Sequence, residues 1–238
     1  MDNKKFSQAN ILGVKVDKVT MNQAVELVEN WLRGQGKHYI VTPNPEFIMA
    51  AQKDEEFRRV LNQADLAIPD GAGLKLATDL ESTIPGVDLM EELIRVATKK
   101  GFTTGFLGGR DGVAEKTADC LRKKYPGLKI GYISSGGIID KNGNSHNTKY
   151  VIPNTDLLFV AFGQVKQEKW IAKNLPKIPV KVAMGVGGSF AYLSGEVTRA
   201  PKWMRNLGLE WLFRLILQPW RIKRQFALVK FAWKVVLG

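Results

Sequence analysis

The chain is poor in the residues that staple small proteins: one cysteine, Cys120, and two histidines, His38 and His146, in 238 residues. A single thiol excludes an internal disulfide framework, and two distant histidines with one cysteine fall short of a structural zinc site. No run approaches the roughly 20 apolar residues that a membrane-spanning helix needs. The first ten residues, MDNKKFSQAN, carry no apolar stretch of the kind that opens a secretory signal. Together these absences point to a reducing, cytoplasmic setting. Chemical signatures are missing too. There is no D-x-D pair to hold a divalent metal on a nucleotide diphosphate, no G-x-S-x-G nucleophile turn and no H-x-x-x-H. The expectation is therefore no metal and no cofactor. What remains is ample for a core, since 45% of residues are hydrophobic.

Charge of one sign is also scarce where it matters. The formal net charge is +12, yet from Arg199 onward nine basic residues face the single acid Glu210, which places +8 in the last forty positions. A tail this basic implies an anionic partner. Bulky apolar residues are interleaved with its arginines and lysines, Trp211, Trp220 and Trp233 among them, and Pro219 divides it into two helices. This composition fits an amphipathic, membrane-surface segment, and equally a helical pair packed on the core with a solvated basic face. It carries no recognised nucleic-acid module, so an anionic membrane is favoured over nucleic acid. The expected organisation is an α/β core over 1–198 and a basic helical appendage over 199–238. The apolar tail must be sheltered off the membrane, which makes a homo-oligomer plausible.

Within the core, short β-branched runs alternate with amphipathic stretches, the pattern of a mostly parallel sheet with flanking crossover helices. The expected strands are 11–16, 38–42, 66–68, 103–108, 128–133, 156–162 and 180–186. The expected helices are 21–33, 45–62, 72–80, 87–99, 111–124 and 165–174. In such Rossmann-like sheets ligands gather beyond the carboxyl ends of strands. Three junctions there carry polar residues: Thr42-Pro43-Asn44-Pro45 after the second strand, Asp70-Gly71-Ala72-Gly73 after the third, and Gly163 to Gln167 after the sixth. Asn44 and Asp70 each fit a helix N-cap as well as a reactive site. Gln167 fits either an ordinary helix face or the cleft that holds Asp70. Two glycine-rich turns, LGGRDG with Gly108 and Gly109 and GVGGSF with Gly187, offer backbone N–H groups of the kind that bind phosphate.

The segments TPNPEF, ADLAIPDGAG, PGVDLM, FGQVKQEKWI, GVGGSF and RAPKWMRNLGLEWLFRL, in this order and spacing, resemble the WecG/TagA/CpsF family of bacterial glycosyltransferases from about Ile11 to the C-terminus. The resemblance implies an inverting, metal-independent transfer of N-acetylmannosamine from a UDP-sugar donor to polyprenyl-diphosphate-linked N-acetylglucosamine, in wall teichoic acid synthesis at the inner face of the cell membrane. By motif it implies Asp70 as general base, with Thr42, Asn44 and Gln167 in the same pocket. It also implies that Arg214, Arg221 and Arg224 of the appendage close over the site and meet diphosphate. A carboxylate with the usual pKa near 3.9 would be ionised at neutral pH without tuning. The chain departs from the family pattern at Thr83, where an arginine is usual, and at Ala191, where an aspartate is usual. A related transferase with another UDP-sugar, or a catalytically impaired homologue, are the alternatives these positions leave.

Overall fold

The structure, a computed structural model, describes residues 6–110, 112–146 and 150–236, apart from the side chains of residues 221 and 223–225. Six strands form one parallel sheet: β3 (His38–Val41), β4 (Leu66–Ala67), β5 (Thr103–Gly108), β6 (Lys129–Ser134), β7 (Thr155–Ala161) and β8 (Val180–Gly185), in the order β4-β3-β8-β7-β5-β6. Alternate residues of β7 show why both faces are covered. Leu157, Phe159 and Ala161 enter one apolar cluster, while Leu158 and Val160 enter another. On the first face lie α1 (Met21–Arg33), α4 (Gly86–Lys100) and α5 (Val113–Lys124), with Leu32, Leu93, Ile94 and Ala118 fully buried. The second face is covered by α2 (Pro45–Ala51), α3 (Glu55–Asn62) and α6 (Lys166–Asn174), the last through Trp170 and Ile171.

The expected Rossmann-like architecture is present, with three local differences. The stretch 11–16 is a hairpin rather than one strand: β1 (Gln8–Ile11) and β2 (Val14–Asp17) pair antiparallel across a turn in which Leu12 and Gly13 both have positive φ, 49° and 83°. Gly13 takes its positive φ without strain, whereas a leucine in that region is disfavoured, so the reversal at Leu12 is not what its residue type suggests. Buried Asp17 joins the hairpin to the sheet by accepting the Ala67 N–H at 2.7 Å. The expected helix over 45–62 is broken in two, because the Asp54 carboxylate accepts the Phe57 N–H at 2.9 Å and starts α3 afresh. Residues 72–80 form a short 3-10 turn, Ala72–Leu76, instead of an α-helix.

Beyond β8 come α7 (Ser189–Leu193), α8 (Lys202–Asn206), α9 (Glu210–Leu217) and α10 (Ile222–Val236). Pro219 opens a 3-10 turn between α9 and α10, as the sequence indicates. Helix α10 has two apolar faces. Ala227, Phe231 and Val235 turn towards α2, with Phe231 fully buried. Ile222, Phe226, Val229, Trp233 and Val236, at helical spacing on the opposite side, are all more than half exposed. No helix among the described residues is long and apolar enough to cross a membrane.

Candidate active site

The chain leaves β5 for β6 in one direction and leaves β7 for β8 in the other, so the sheet has its switch point between β5 and β7. Ligands in open α/β sheets bind at such a crevice. The turns that follow β4, β3, β8, β7 and β5 lie along this carboxyl edge; the sequence-nominated core residues are on them, except Gly108, which ends β5, and Gln167, in the first turn of α6.

Asp70 is placed by its backbone first. Ile68 donates to the carbonyl of Val41 and Asp70 to that of Pro43, at 3.0 and 2.9 Å, which carries the β3–β4 pairing past the strand ends. The Ile84 N–H then returns to the Pro69 carbonyl at 2.7 Å and brings the start of α4 back to the same point. There the Asp70 carboxylate accepts the N–H of Gly86, the first residue of α4. A Cβ on Gly86 would lie 3.3 Å from Thr42 Cγ2 and 3.7 Å from Asp70 Oδ2, so Thr42, Asp70 and the α4 N-terminus form one cluster. Thr42 is buried, and Asp70 is only partly accessible.

This surrounding corrects the expectation of an untuned carboxylate. Burial first, then the Glu210 carboxylate and Asp88, push Asp70 up to about 7; the Gly86 N–H and Arg199 act the other way without prevailing. A base whose pKa lies near the working pH is both available and strong enough to take a proton.

Asn44 is an N-cap: its Oδ1 accepts the Phe47 N–H at 3.0 Å, and Pro45 occupies the first position of α2. Gln167 is buried, and its amide is engaged within the protein. Nε2 donates to Glu168 Oε1 at 2.6 Å, and Oε1 accepts the Gly187 N–H at 3.0 Å. The N–H groups of Gly109 and Gly187 therefore differ from the sequence expectation of phosphate donors, since Gly109 already donates to the Ala161 carbonyl at 2.9 Å. Gly108 is there for close approach: at φ 100°, a Cβ would fall 2.8 Å from the Ala161 carbonyl carbon. Gly163, at φ 89°, faces open space with nothing within 4 Å of a would-be Cβ.

The tail reaches this edge. Gly208, in the turn between α8 and α9, would place a Cβ 2.7 Å from that of Ala72, so the turn lies directly on the PDGAG segment. Arg199 grips Asp88 with both terminal nitrogens, Nη2 to Oδ2 at 2.9 Å, and its Nε reaches Glu210 at 3.4 Å. Arg214 lies over the Tyr192 ring at 4.8 Å and against Gly188, whose Cβ position would be 2.6 Å from Nη2. The side chains of Arg221 and Arg224 are outside the described residues. Arg199, Glu210, Asp88 and Glu168 were not singled out from sequence, although PGVDLM, RAPKW, LEWL and KQEKW contain them; only the fold puts the first three around Asp70.

Comparison with known proteins agrees with this geometry. The model of the glycosyl transferase WecG/TagA/CpsF family matches residues 9–238. The chain belongs to that family. Among curated relatives of this WecG/TagA/CpsF member is a Bacillus subtilis (strain 168) protein, 37% identical over 213 residues, which are 84% of this chain and 82% of that protein. Another, from Staphylococcus aureus (strain MRSA252), is 32% identical over 236 residues, 96% of this chain and 92% of the relative. Both are named N-acetylglucosaminyldiphosphoundecaprenol N-acetyl-beta-D-mannosaminyltransferase. As a family member the chain is a glycosyltransferase enzyme.

Proposed function

We propose that this glycosyltransferase moves N-acetylmannosamine from its UDP donor to undecaprenyl-diphosphate-linked N-acetylglucosamine, with inversion and with Asp70 as general base. The observation that carries the reading is the Asp70 cluster: a carboxylate at a strand end, held on the α4 N-terminus beside Thr42 and raised to about 7. The acceptor hydroxyl gives its proton to Asp70 as its oxygen bonds to the anomeric carbon. The bond from that carbon to UDP breaks, and the electron pair leaves with the diphosphate. The anomeric carbon passes through an oxocarbenium-like state, as in glycoside hydrolysis. Negative charge grows on the departing diphosphate, and in this reading Arg214, which rests on the Gly187-Gly188 turn, meets it. Arg221 and Arg224 join it in this reading, and Gly163 gives the diphosphate room at the β7 end. Thr42 and Asn44 line the acceptor side.

The lipid-linked acceptor keeps its sugar at a bilayer surface. Of 14 large hydrophobic residues exposed among the described residues, 11 lie between Trp203 and Val236. That concentration, on a segment of net charge +8, supports reading 199–238 as an appendage that rests on the anionic inner face of the cell membrane, each basic residue contributing about 1 kcal/mol there. Off the membrane the same apolar surface favours pairing with a second copy.

The test is UDP release from UDP-N-acetylmannosamine with a short-lipid N-acetylglucosamine diphosphate acceptor, in EDTA. Acceptor-dependent release by the wild type and its loss in Asp70→Asn support the reading. Equal turnover by the variant removes Asp70 as base, and no release by the wild type removes this donor.

A further inference from the structure

Glu168 has no exposed surface and takes no part in the proton transfer just described. Both its carboxylate oxygens are nevertheless committed. Oε2 accepts the Val165 N–H at 2.8 Å, and Oε1 accepts the Gln167 Nε2 at 2.6 Å. With its nitrogen held there, Gln167 can present only its oxygen to the Gly187 N–H, 3.0 Å away. Gly185 leaves the room this requires, since a Cβ there would stand 2.7 Å from Glu168 Oε1 and 2.9 Å from Gln167 Nε2. Val165 sits at φ 73°, ψ −50°, a region strained for a β-branched residue. Backbone strain of this kind persists only where neighbours enforce it, and the Glu168 carboxylate is the neighbour that binds this N–H. One buried carboxyl group thus joins the turn after β7 to the turn after β8, and the next residue along, Gly188, lies under Arg214.

We propose that Glu168 is a positioning residue for the donor diphosphate: through the Gln167 amide it fixes the Gly187-Gly188 turn beneath Arg214, and through Val165 it fixes the turn that starts α6. This rests on the reading that Arg214, resting on that turn, meets the diphosphate. An ionised carboxylate serves two N–H donors at once. Glu168→Gln offers one oxygen and one NH2 group, so it cannot serve Val165 and Gln167 together, and the link that holds each turn through the other is broken.

The experiment compares full-length wild type, Glu168→Gln, Glu168→Gln with Val165→Gly, and Gln167→Met. Hydrogen–deuterium exchange is read on peptides covering 163–168 and 185–190, beside KM and kcat for UDP-N-acetylmannosamine. Glu168→Gln is expected to speed exchange at least tenfold in both turns, leave peptides of β5 and α5 unchanged, and raise KM tenfold or more with a smaller change in kcat. Adding Val165→Gly, which relieves the positive φ, restores protection at 163–168 but not at 185–190, and KM stays high. Gln167→Met loosens 185–190 alone, and decides the matter if Glu168→Gln does not fold. Wild-type exchange at 185–190 in Gln167→Met, or a wild-type KM in folded Glu168→Gln, overturns the proposal. A wild type that releases no UDP from this donor overturns the donor assignment instead, and the exchange data still decide whether Glu168 holds the two turns.

Discussion

Replacing Glu210 by Gln removes a negative charge that the tail brings to Asp70, and the acid limb of the rate profile should follow. Asp70 is raised to about 7 from 3.8, with burial as the largest cause and Glu210 as the next. The substitution leaves burial and Asp88 in place, so the limb moves down but does not reach the ordinary carboxylate range. A like charge in a shared pocket is worth on the order of one pKa unit, or about 1.4 kcal/mol. At pH 6 the ionised fraction of Asp70 then rises from about a tenth to about a half, a gain of about fivefold in kcat/KM, while the value at pH 8 hardly changes. Arg199 keeps its two-pronged grip on Asp88, so the anchor of the tail is weakened rather than lost. Glu168 is also pushed up to about 7, by burial, and titrates in the same range. The ratio of variant to wild type, rather than either profile alone, therefore isolates Asp70. The assay is acceptor-dependent UDP release from pH 5.5 to 8.5. An acid limb that stays in place, or a uniform loss at every pH, would refute the electrostatic argument and leave Glu210 as a mechanical anchor only.

Asp70→Asn should lower turnover by about 10²–10⁴-fold and at the same time stabilise the fold. Because the folded-state pKa is raised, wild-type stability falls as pH rises from about 4 to 7; Asn can still accept the Gly86 N–H but never ionises. The variant should melt several degrees higher at pH 8, about 2 kcal/mol, with no gain near pH 4; equal melting curves at pH 8 would contradict the buried charge. Phe226→Glu with Trp233→Glu alters only the exposed face of α10, so sedimentation with vesicles containing anionic lipid should drop while the melting temperature holds. Undiminished co-sedimentation would show that this face does not meet the membrane. Gly108→Ala forces a Cβ to 2.8 Å from the Ala161 carbonyl carbon at φ 100°, and should destabilise by about 1–3 kcal/mol in denaturant titration. A wild-type midpoint would mean the β5 end relaxes freely.

The site was legible in part because its residues are confined to strand ends, where short motifs interrupt apolar runs. Thr42, Asn44, Asp70 and Gln167 could be nominated from that placement and from the family resemblance. Their physical state could not. The sequence suggests an ordinary pKa for Asp70, and its rise comes first from burial and then from Glu210, 140 positions later in the chain. The sequence suggests Gly109 and Gly187 as open N–H donors, but Gly109 donates to the Ala161 carbonyl at the end of β7 and Gly187 to the Gln167 side chain of α6. The break at Asp54 and the turn at Leu12 differ from the sequence expectation for a related reason: in one a side-chain N-cap, in the other a disfavoured backbone region, interrupts a stretch that local propensity alone would continue.

The sequence by itself determined what depends on local periodicity and composition. Alternating β-branched and amphipathic segments point to a parallel sheet covered on both faces, and the basic, tryptophan-bearing composition of the tail is local information of the same kind. Tertiary structure alone decided which charges meet. Electrostatic and hydrogen-bond energies depend on distance and burial, and these are set by strand order and by how the tail folds back. Through that return, Arg199 and Glu210 come to Asp88 and Asp70, and Arg214 comes to lie over Gly188.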